Sequence, residues 1–298
     1  MIKEQLQKKP SQKTIDAIDR RSNLSRKELI KEYIEPSIPV ILTDAAAKWN
    51  AMGKFTPDFF KTKYGQITKE VKGVTYTISE FIDLMLASTP ENPSPYPFSF
   101  NIEIYFPELM KDIKPEIVYG KIDRVNHPLL PRFMMYGTEV YEVFMGGNGS
   151  SFPVLHIDAL YLHNQATMIY GSKDFIFYPP DQTKYLYPKE GSPKYSQIDI
   201  LNPDYDKYPL FREARALKVN LKQGETLLSP MGWWHTTLMH EPCISVGRAH
   251  LNAANWSDFI RDESYIWKQR SALMGALVSG YGKLLGKVMD LQEKFIGS

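Results

Sequence analysis

Six histidines occur in this 298-residue chain, and one of them opens the tripeptide His156-Ile157-Asp158. On a β-strand successive side chains alternate faces, so His156 and Asp158 project together while Leu155 and Ile157 face the other way. An imidazole and a carboxylate side by side on one wall supply two ligands of a facial triad. A second histidine from a distant strand completes it and leaves positions open on the metal. The tripeptide alone is a weak signal, because a solvated His and Asp on an edge strand look the same. Two flanking features strengthen it. Upstream lies Gly146-Gly147-Asn148-Gly149-Ser150-Ser151, a flexible turn, and a β-like run follows. Far downstream, Gly224-Glu225-Thr226-Leu227-Leu228-Ser229-Pro230-Met231-Gly232-Trp233-Trp234-His235 reads as turn, apolar strand, turn, and a histidine at a strand end framed by aromatics. His240 and His250 compete with His235 for the third position. His240 sits in the loop Met239-His240-Glu241-Pro242 and reads as solvated, whereas His250 ends an apolar strand and reads as a hydrogen-bonded core or rim residue. His127 and His163 read as structural.

The elements that must carry these side chains are predicted as follows. Residues 1–36 read as helix, with a capping box at Ser25 and Glu28, apolar Leu29, Ile30, Tyr33 and Ile34 at helical spacing, and a stop at Pro36. Residues 38–42 form a short apolar run that reads as a buried strand. Thr56-Pro57 and Thr77-Ile78 open two further helices. From Phe98 the texture is β-like, with strand candidates at 98–105, 133–145, 153–158, 165–170, 174–178, 215–219, 225–229 and 242–251. Pro- and Gly-rich turns punctuate them, as in a sandwich or barrel. After Trp256 an amphipathic helical pattern covers 257–296. The division expected is a mainly helical segment over 1–97, a β core over 98–256, and a C-terminal helical segment over 257–298.

Composition narrows the partners. Aromatics make up 13 %, which favours a β-rich core. The net charge of +2 provides no electrostatic footing for nucleic acid. A lone cysteine, Cys243, rules out an intrachain disulfide. Met1 to Arg21 is charged throughout, unlike a secretory leader, and no stretch nears the roughly 18 apolar residues of a membrane span. A cytoplasmic protein is the expectation.

Several ordered motifs together resemble the JmjC and cupin-like oxygenases, typified by the asparaginyl hydroxylase that inhibits hypoxia-inducible factor. They are Pro39-Val40-Ile41-Leu42-Thr43 with Trp49, Phe55-Thr56-Pro57-Asp58-Phe59-Phe60, Tyr105-Phe106-Pro107-Glu108-Leu109, His156-Ile157-Asp158, Gly171-Ser172-Lys173-Asp174-Phe175 with Tyr178-Pro179-Pro180, Gly232-Trp233-Trp234-His235, and Asn255-Trp256. The resemblance implies a mainly β fold with flanking helices around a double-stranded β-helix, the jelly-roll core of cupins. It implies iron(II) on His156, Asp158 and His235, with 2-oxoglutarate as cosubstrate and dioxygen as oxidant. Lys173 matches the lysine that binds the far carboxylate of 2-oxoglutarate, Asn164 a polar residue supporting it, and Tyr96 a further contact. Alternation also places Lys173 with Phe175 and Phe177 on one face, where an ammonium needs an anion. Pro153 stands where the family often has threonine, with Ser150 or Ser151 as substitutes, and Arg248 is an alternative carboxylate anchor. The implied activity is hydroxylation of a C–H bond, on an amino-acid side chain of a protein or peptide in the first instance. A small molecule, a modified RNA base, or a non-catalytic peptide-binding role are the alternatives. Histone demethylation is not expected, as no chromatin-reading module accompanies the domain. The C-terminal helices are expected either to pair two copies or to cover the barrel.

Overall fold

In a computed structural model describing residues 15–135 and 138–296, the chain opens with strand β1 (Asp19–Arg21), helix α1 (Arg26–Leu29) and strand β2 (Val40–Leu42). The capping box forms: Ser25 Oγ accepts from the Glu28 amide, and the Glu28 carboxylate accepts from the Ser25 amide. A π turn over Ile30–Ile34 prolongs α1. The expected helix over 1–36 is corrected at 19–21, which pair in parallel with β2, while 1–14 lie outside the described residues. Charge contacts hold this edge strand: Arg20 reaches Glu225 at 2.9 Å, and Asp19 accepts from the Tyr33 hydroxyl at 2.9 Å. Helices α2 (Pro57–Tyr64) and α3 (Ile78–Leu86) start at the capping residues Thr56 and Thr77. Between them is a hairpin that hydrophobic patterning does not reveal, β3 (Thr68–Val71) and β4 (Val74–Thr77). Its turn residues Lys72 and Gly73 both have positive φ, 53° and 80°, as a two-residue hairpin loop requires.

The β core is made of β5 (Phe98–Asn101), β6 (Tyr141–Gly146), β7 (His163–Tyr170), β8 (Lys173–Tyr178), the small pair β9 (Pro188–Lys189) and β10 (Ser192–Ser196), β11 (Leu217–Leu221), β12 (Thr226–Ser229), β13 (Trp234–Leu238) and β14 (Cys243–His250). Three expected strands are shorter or absent. Residues 98–105 turn helical at Ile102–Tyr105 (α4), because the Asn101 side chain caps the Ile104 amide. Among the described residues of 133–145, strand begins at Tyr141. Residues 153–158 form no regular strand. This segment lies along the free edge of β13, bridging at Ser151–Leu238 and His156–His235. Between these bridges four residues, 152–155, oppose two, 236–237, and Pro153, which has no N–H to donate, sits in the bulge.

One sheet has the order β1-β2-β12-β7-β14-β6-β5 and the other β11-β8-β13. All pairs but β1–β2 are antiparallel. The two sheets face each other as a jelly roll. Inside, Met168, Phe175, Phe177, Leu221, Leu227 and Trp233 pack into one cluster. Outside the large sheet, Val143, Ile244 and Val246 pack with helical residues such as Phe60, Phe81 and Phe259. The core is therefore a mainly β jelly roll with helices on one flank.

The C-terminal helical pattern is two helices, α5 (Trp256–Arg270) and α6 (Ala272–Phe295), separated at Ser271, whose hydroxyl caps α6. They cross closely because Gly282 faces Ile260, where an added Cβ would come within 2.3 Å. The buried Arg124 guanidinium grips α6 through Asp290 at 2.6 Å and Glu293 at 2.9 Å. On α5, Glu263 is 3 % exposed, its Oε2 has no hydrogen-bond partner, and burial pushes its carboxyl up to about 7. An unfolded carboxyl titrates near 4.5, so between that pH and 7 the unfolded chain releases a proton the folded one keeps. Stability is lost as pH rises through this window. Glu263→Gln is expected to add about 2 kcal/mol at pH 8 and nothing at pH 4. Thermal denaturation at the two pH values checks it; an equal change at both would refute the titration account.

Candidate metal centre

His156 and Asp158 leave the bulged edge on the same side. Leu155 and Ile157 turn outward into a cluster with Ile176 and Trp234. After Asp158 the chain makes a tight turn in which Leu160 and Tyr161 hold left-handed φ of 54° and 51°, a strained route into β7. His235 is the second residue of β13, inside the strand rather than at its end, and exchanges both backbone hydrogen bonds with His156 at 2.8 and 3.0 Å. This pairing brings residues 79 positions apart in sequence into direct register. Asp158 Oδ1 lies 3.8 Å from His156 Nε2 and 3.7 Å from His235 Nε2. Among the described residues this is the one group of three or more His, Cys, Asp or Glu placed to share an ion.

The protonation state suits a metal. His156 Nδ1 donates to the Val154 carbonyl and His235 Nδ1 to the Trp233 carbonyl, both at 3.1 Å. Each ring thus carries its proton on Nδ1 and turns a free Nε2 lone pair toward Asp158. Burial, reinforced by neighbouring His235, pushes His156 down to about 4, so it is neutral at physiological pH. Two imidazoles presenting Nε2 and one carboxylate make the donor set of a 2-His-1-carboxylate site, which suits ferrous iron and leaves positions open.

A model of the cupin-like domain matches residues 25–248. The chain belongs to the cupin-like domain family. Relatives include "Lysine-specific demethylase JMJ21" of Arabidopsis thaliana, 27 % identical over 255 residues, covering 80 % of this chain and 26 % of that protein. "Lysine-specific demethylase 8" of Danio rerio is 26 % identical over 235 residues, covering 72 % and 53 %. "HSPB1-associated protein 1" of Bos taurus is 36 % identical over 97 residues, covering 31 % and 20 %. The chain spans about half or less of these relatives' own length.

In this cupin-like protein the triad lines a cavity of about 320 Å³ between the two sheets. Lys173, Asn164 and Tyr96, each expected at the site, line the same cavity. Alternation along β8 sends Lys173, Phe175 and Phe177 inward together, as predicted. Lys173 is 4 % exposed, and its ammonium donates to Ser245 Oγ at 2.9 Å and lies over the rings of Phe144 and Phe175 at 5.7 and 5.2 Å. No carboxylate pairs with it among the described residues, and burial lowers its pKa. Tyr96 is buried against Phe152, and burial raises its phenol pKa.

Arg248 is not at the site. It shares the outward face of Ile244 and Val246 on β14, and its guanidinium is held by Glu116, Asp123 and the Ile117 carbonyl. Ser150 does not replace the missing threonine either: its hydroxyl donates to the Ser94 carbonyl, behind the cavity wall. Among the competing histidines, His240 is exposed and pairs with Asp174, and His250 is buried on Gln165 Oε1, both at 3.0 Å. His127 contacts Gln292 and His163 contacts Asn252. Sequence reasoning missed Ser245 and Glu142, both of which line the cavity. Parity gives half of their signal: Glu142 faces opposite to Tyr141 and Val143, and Ser245 opposite to Ile244 and Val246, but only the structure shows which of those faces is the cavity side.

Proposed function

We propose that this cupin-like protein is an iron(II)- and 2-oxoglutarate-dependent oxygenase acting on a C–H bond of an amino-acid side chain in a protein or peptide. One observation carries this reading: a single cavity holds a His-His-Asp triad and, on its wall, a buried ammonium with no anionic partner among the described residues. A dicarboxylate joins the two, its far carboxylate on Lys173 and its 2-oxo acid end at the triad. When bound, iron(II) with 2-oxoglutarate and dioxygen supplies the oxidising power to insert oxygen into an unactivated C–H bond, with succinate and carbon dioxide as by-products.

The chain's own residues position and protect. His156, His235 and Asp158 would hold the ion through Nε2, Nε2 and a carboxylate oxygen, with the rest of the cavity available to cosubstrate and oxygen. The carbonyls of Val154 and Trp233 keep both imidazoles in the ligating tautomer. Phe152 stacks on His156 at 4.3 Å, and Phe177 lies 5.7 Å from His235, so rings exclude water around the donors. Ser245 orients the Lys173 ammonium. Oxidation at a carbon leaves a hydroxyl there; at an N-methyl carbon the same product breaks down to free amine and formaldehyde. The relatives named lysine-specific demethylases support the second outcome as well as the first. Mass spectrometry of peptides from cell extract, after incubation with iron(II), ascorbate and 2-oxoglutarate, tests the reading. A mass gain of one oxygen or loss of a methyl, accompanied by succinate, is expected. No succinate from an iron-loaded protein across a wide substrate panel refutes it.

We further propose that α6 pairs with the same helix of a second copy. Leu273, Leu277, Leu284 and Leu291 are 69 %, 55 %, 61 % and 54 % exposed along one stripe, while Val278, Leu285 and Met289 are buried in the cluster that holds Trp256, Phe259 and Ile260 of α5. An apolar stripe of this length marks a contact surface. Light scattering is expected to report twice the monomer mass, and Leu277→Glu with Leu284→Glu to halve it. A monomeric wild type would refute the pairing. No helix among the described residues is long and apolar enough to cross a membrane.

A further inference from the structure

Beside the metal cavity lies a second, of about 310 Å³. The two share Glu142, Phe144, Asp158, Asn164 and Gly247 as walls. The second cavity has no part of the Lys173 end. It leads instead from the triad, past Leu162 and Val140, to Thr138 and the exposed Glu139 at the surface. Gly247 keeps the passage between them open. It stands opposite Glu142 in the β14–β6 register, and an added Cβ would come within 2.9 Å of the Phe144 ring. A substrate group entering from the surface would pass between Glu142 and Asn164 to reach the open side of the triad.

Glu142 is the chemically distinctive group on that path. It points inward from β6 with Phe144, whereas Tyr141, Val143 and Met145 face the outer core. One carboxylate oxygen accepts from the Ser99 hydroxyl at 3.0 Å. Among the described residues the other accepts no hydrogen bond and no cation lies within ion-pair distance of the carboxylate. Arg248, which also borders this cavity, is occupied by Glu116 and Asp123 on the far side of the sheet. A carboxyl so placed is poorly solvated, and burial pushes it up to about 7. It is an acceptor held in position by Ser99, with Lys69 acting on it only from a distance and no ion pair among the described residues, at the junction of a substrate-sized passage and the triad.

We propose that this second cavity receives the reactive side chain of the substrate and that Glu142 selects a basic one, an ammonium or guanidinium, by pairing with it. The proposal rests on the oxygenase reading above and adds the substrate's chemistry. A neutral or acidic side chain would leave the carboxylate unpaired, or face it with a like charge, so discrimination arises from the wrong substrates as much as the right one. Truncating one partner of such a desolvated pair costs binding on the order of tenfold or more.

Four peptides differing only at a central arginine, lysine, glutamine or glutamate, each fluorescently labelled, give the test. Anisotropy should show the two basic peptides binding wild type about tenfold tighter than the glutamine peptide. Glu142→Gln, close to isosteric and still able to bond Ser99, should erase that preference, and Glu142→Asp should keep part of it. Equal binding of all four by wild type, no binding of any, or an unchanged preference in Glu142→Gln overturns the proposal. Succinate release measured on the same samples separates the two readings. Basic-peptide preference without succinate would sink the oxygenase and keep the pocket. Succinate without charge preference would sink the pocket and keep the oxygenase.

Discussion

Asp158→Ala is expected to lower iron(II) affinity by more than about a hundredfold and to take 2-oxoglutarate turnover below detection. Loss of a supporting group around a metal ligand already costs about 10- to 100-fold, and Asp158 is itself the carboxylate of the proposed triad. Its removal leaves two imidazoles, 4.5 Å apart between ring centroids, and takes away the site's carboxylate, the one ligand that brings negative charge to a dication. The donors are already gathered: the Asp158 carboxylate oxygen lies 3.7 and 3.8 Å from the two Nε2 atoms, close enough for all three to reach one ion. Iron(II), or manganese(II) as an air-stable substitute, should therefore raise the melting temperature. At a hundredfold excess over the dissociation constant the gain is about 2.7 kcal/mol. Asp158→Ala should show none of it, while His240→Ala, which removes only a surface pair with Asp174, should keep all of it. A metal-dependent shift that survives Asp158→Ala would mean the ion binds elsewhere.

How far the sequence could be read depended on whether a strand is buried on one face or two. The shared face of His156 and Asp158 was legible because Leu155 and Ile157 are apolar and the chain there is extended, although Pro153 prevents a regular ladder. Lys173 was legible for a related reason: a lysine alternating with phenylalanines marks a face that must hold an anion. Strand β14 is buried on both sides, so its pattern Cys243-Ile244-Ser245-Val246-Gly247-Arg248 does not say which face is the interior. Arg248 could be read inward on that pattern, yet its three partners come from the loop at 116–123, which only the tertiary structure brings near. Glu142 was overlooked for the same cause. The hairpin of β3 and β4 is largely exposed and charged, so its strands carry no apolar alternation, and its turn is the better clue. The strand β1 is held by side-chain pairs to residues up to 205 positions away, outside the reach of any local pattern.

Lys173→Met should do two opposite things at once: stabilise the protein without cosubstrate, and destroy its affinity for 2-oxoglutarate. In the absence of an anion the Lys173 ammonium is desolvated, with one hydroxyl and two aromatic faces as its contacts among the described residues. Methionine has similar volume and no charge, so the substitution removes the desolvation cost and keeps the packing. Replacing buried ionic groups by apolar ones of like volume is neutral or stabilising by about 1–4 kcal/mol. The same change leaves the far carboxylate of a bound dicarboxylate unpaired, at a cost of about 2–5 kcal/mol. That corresponds to roughly a 30- to several-thousandfold rise in the apparent dissociation constant. Lys173→Arg keeps the charge but must fit a longer, planar group between Phe144 and Phe175, so it should recover only part of the affinity. Melting curves taken with and without 2-oxoglutarate, in the presence of manganese(II), read both effects from one experiment. The metal-only curve of Lys173→Met should lie above that of wild type, and the cosubstrate shift should vanish. A variant that melts lower and still responds to 2-oxoglutarate would make Lys173 a packing residue and move the anchor elsewhere. Ser245→Ala separates orientation from charge: with the ammonium retained but its one hydrogen bond lost, affinity should fall by less than in Lys173→Met, and the metal-induced shift should stay intact.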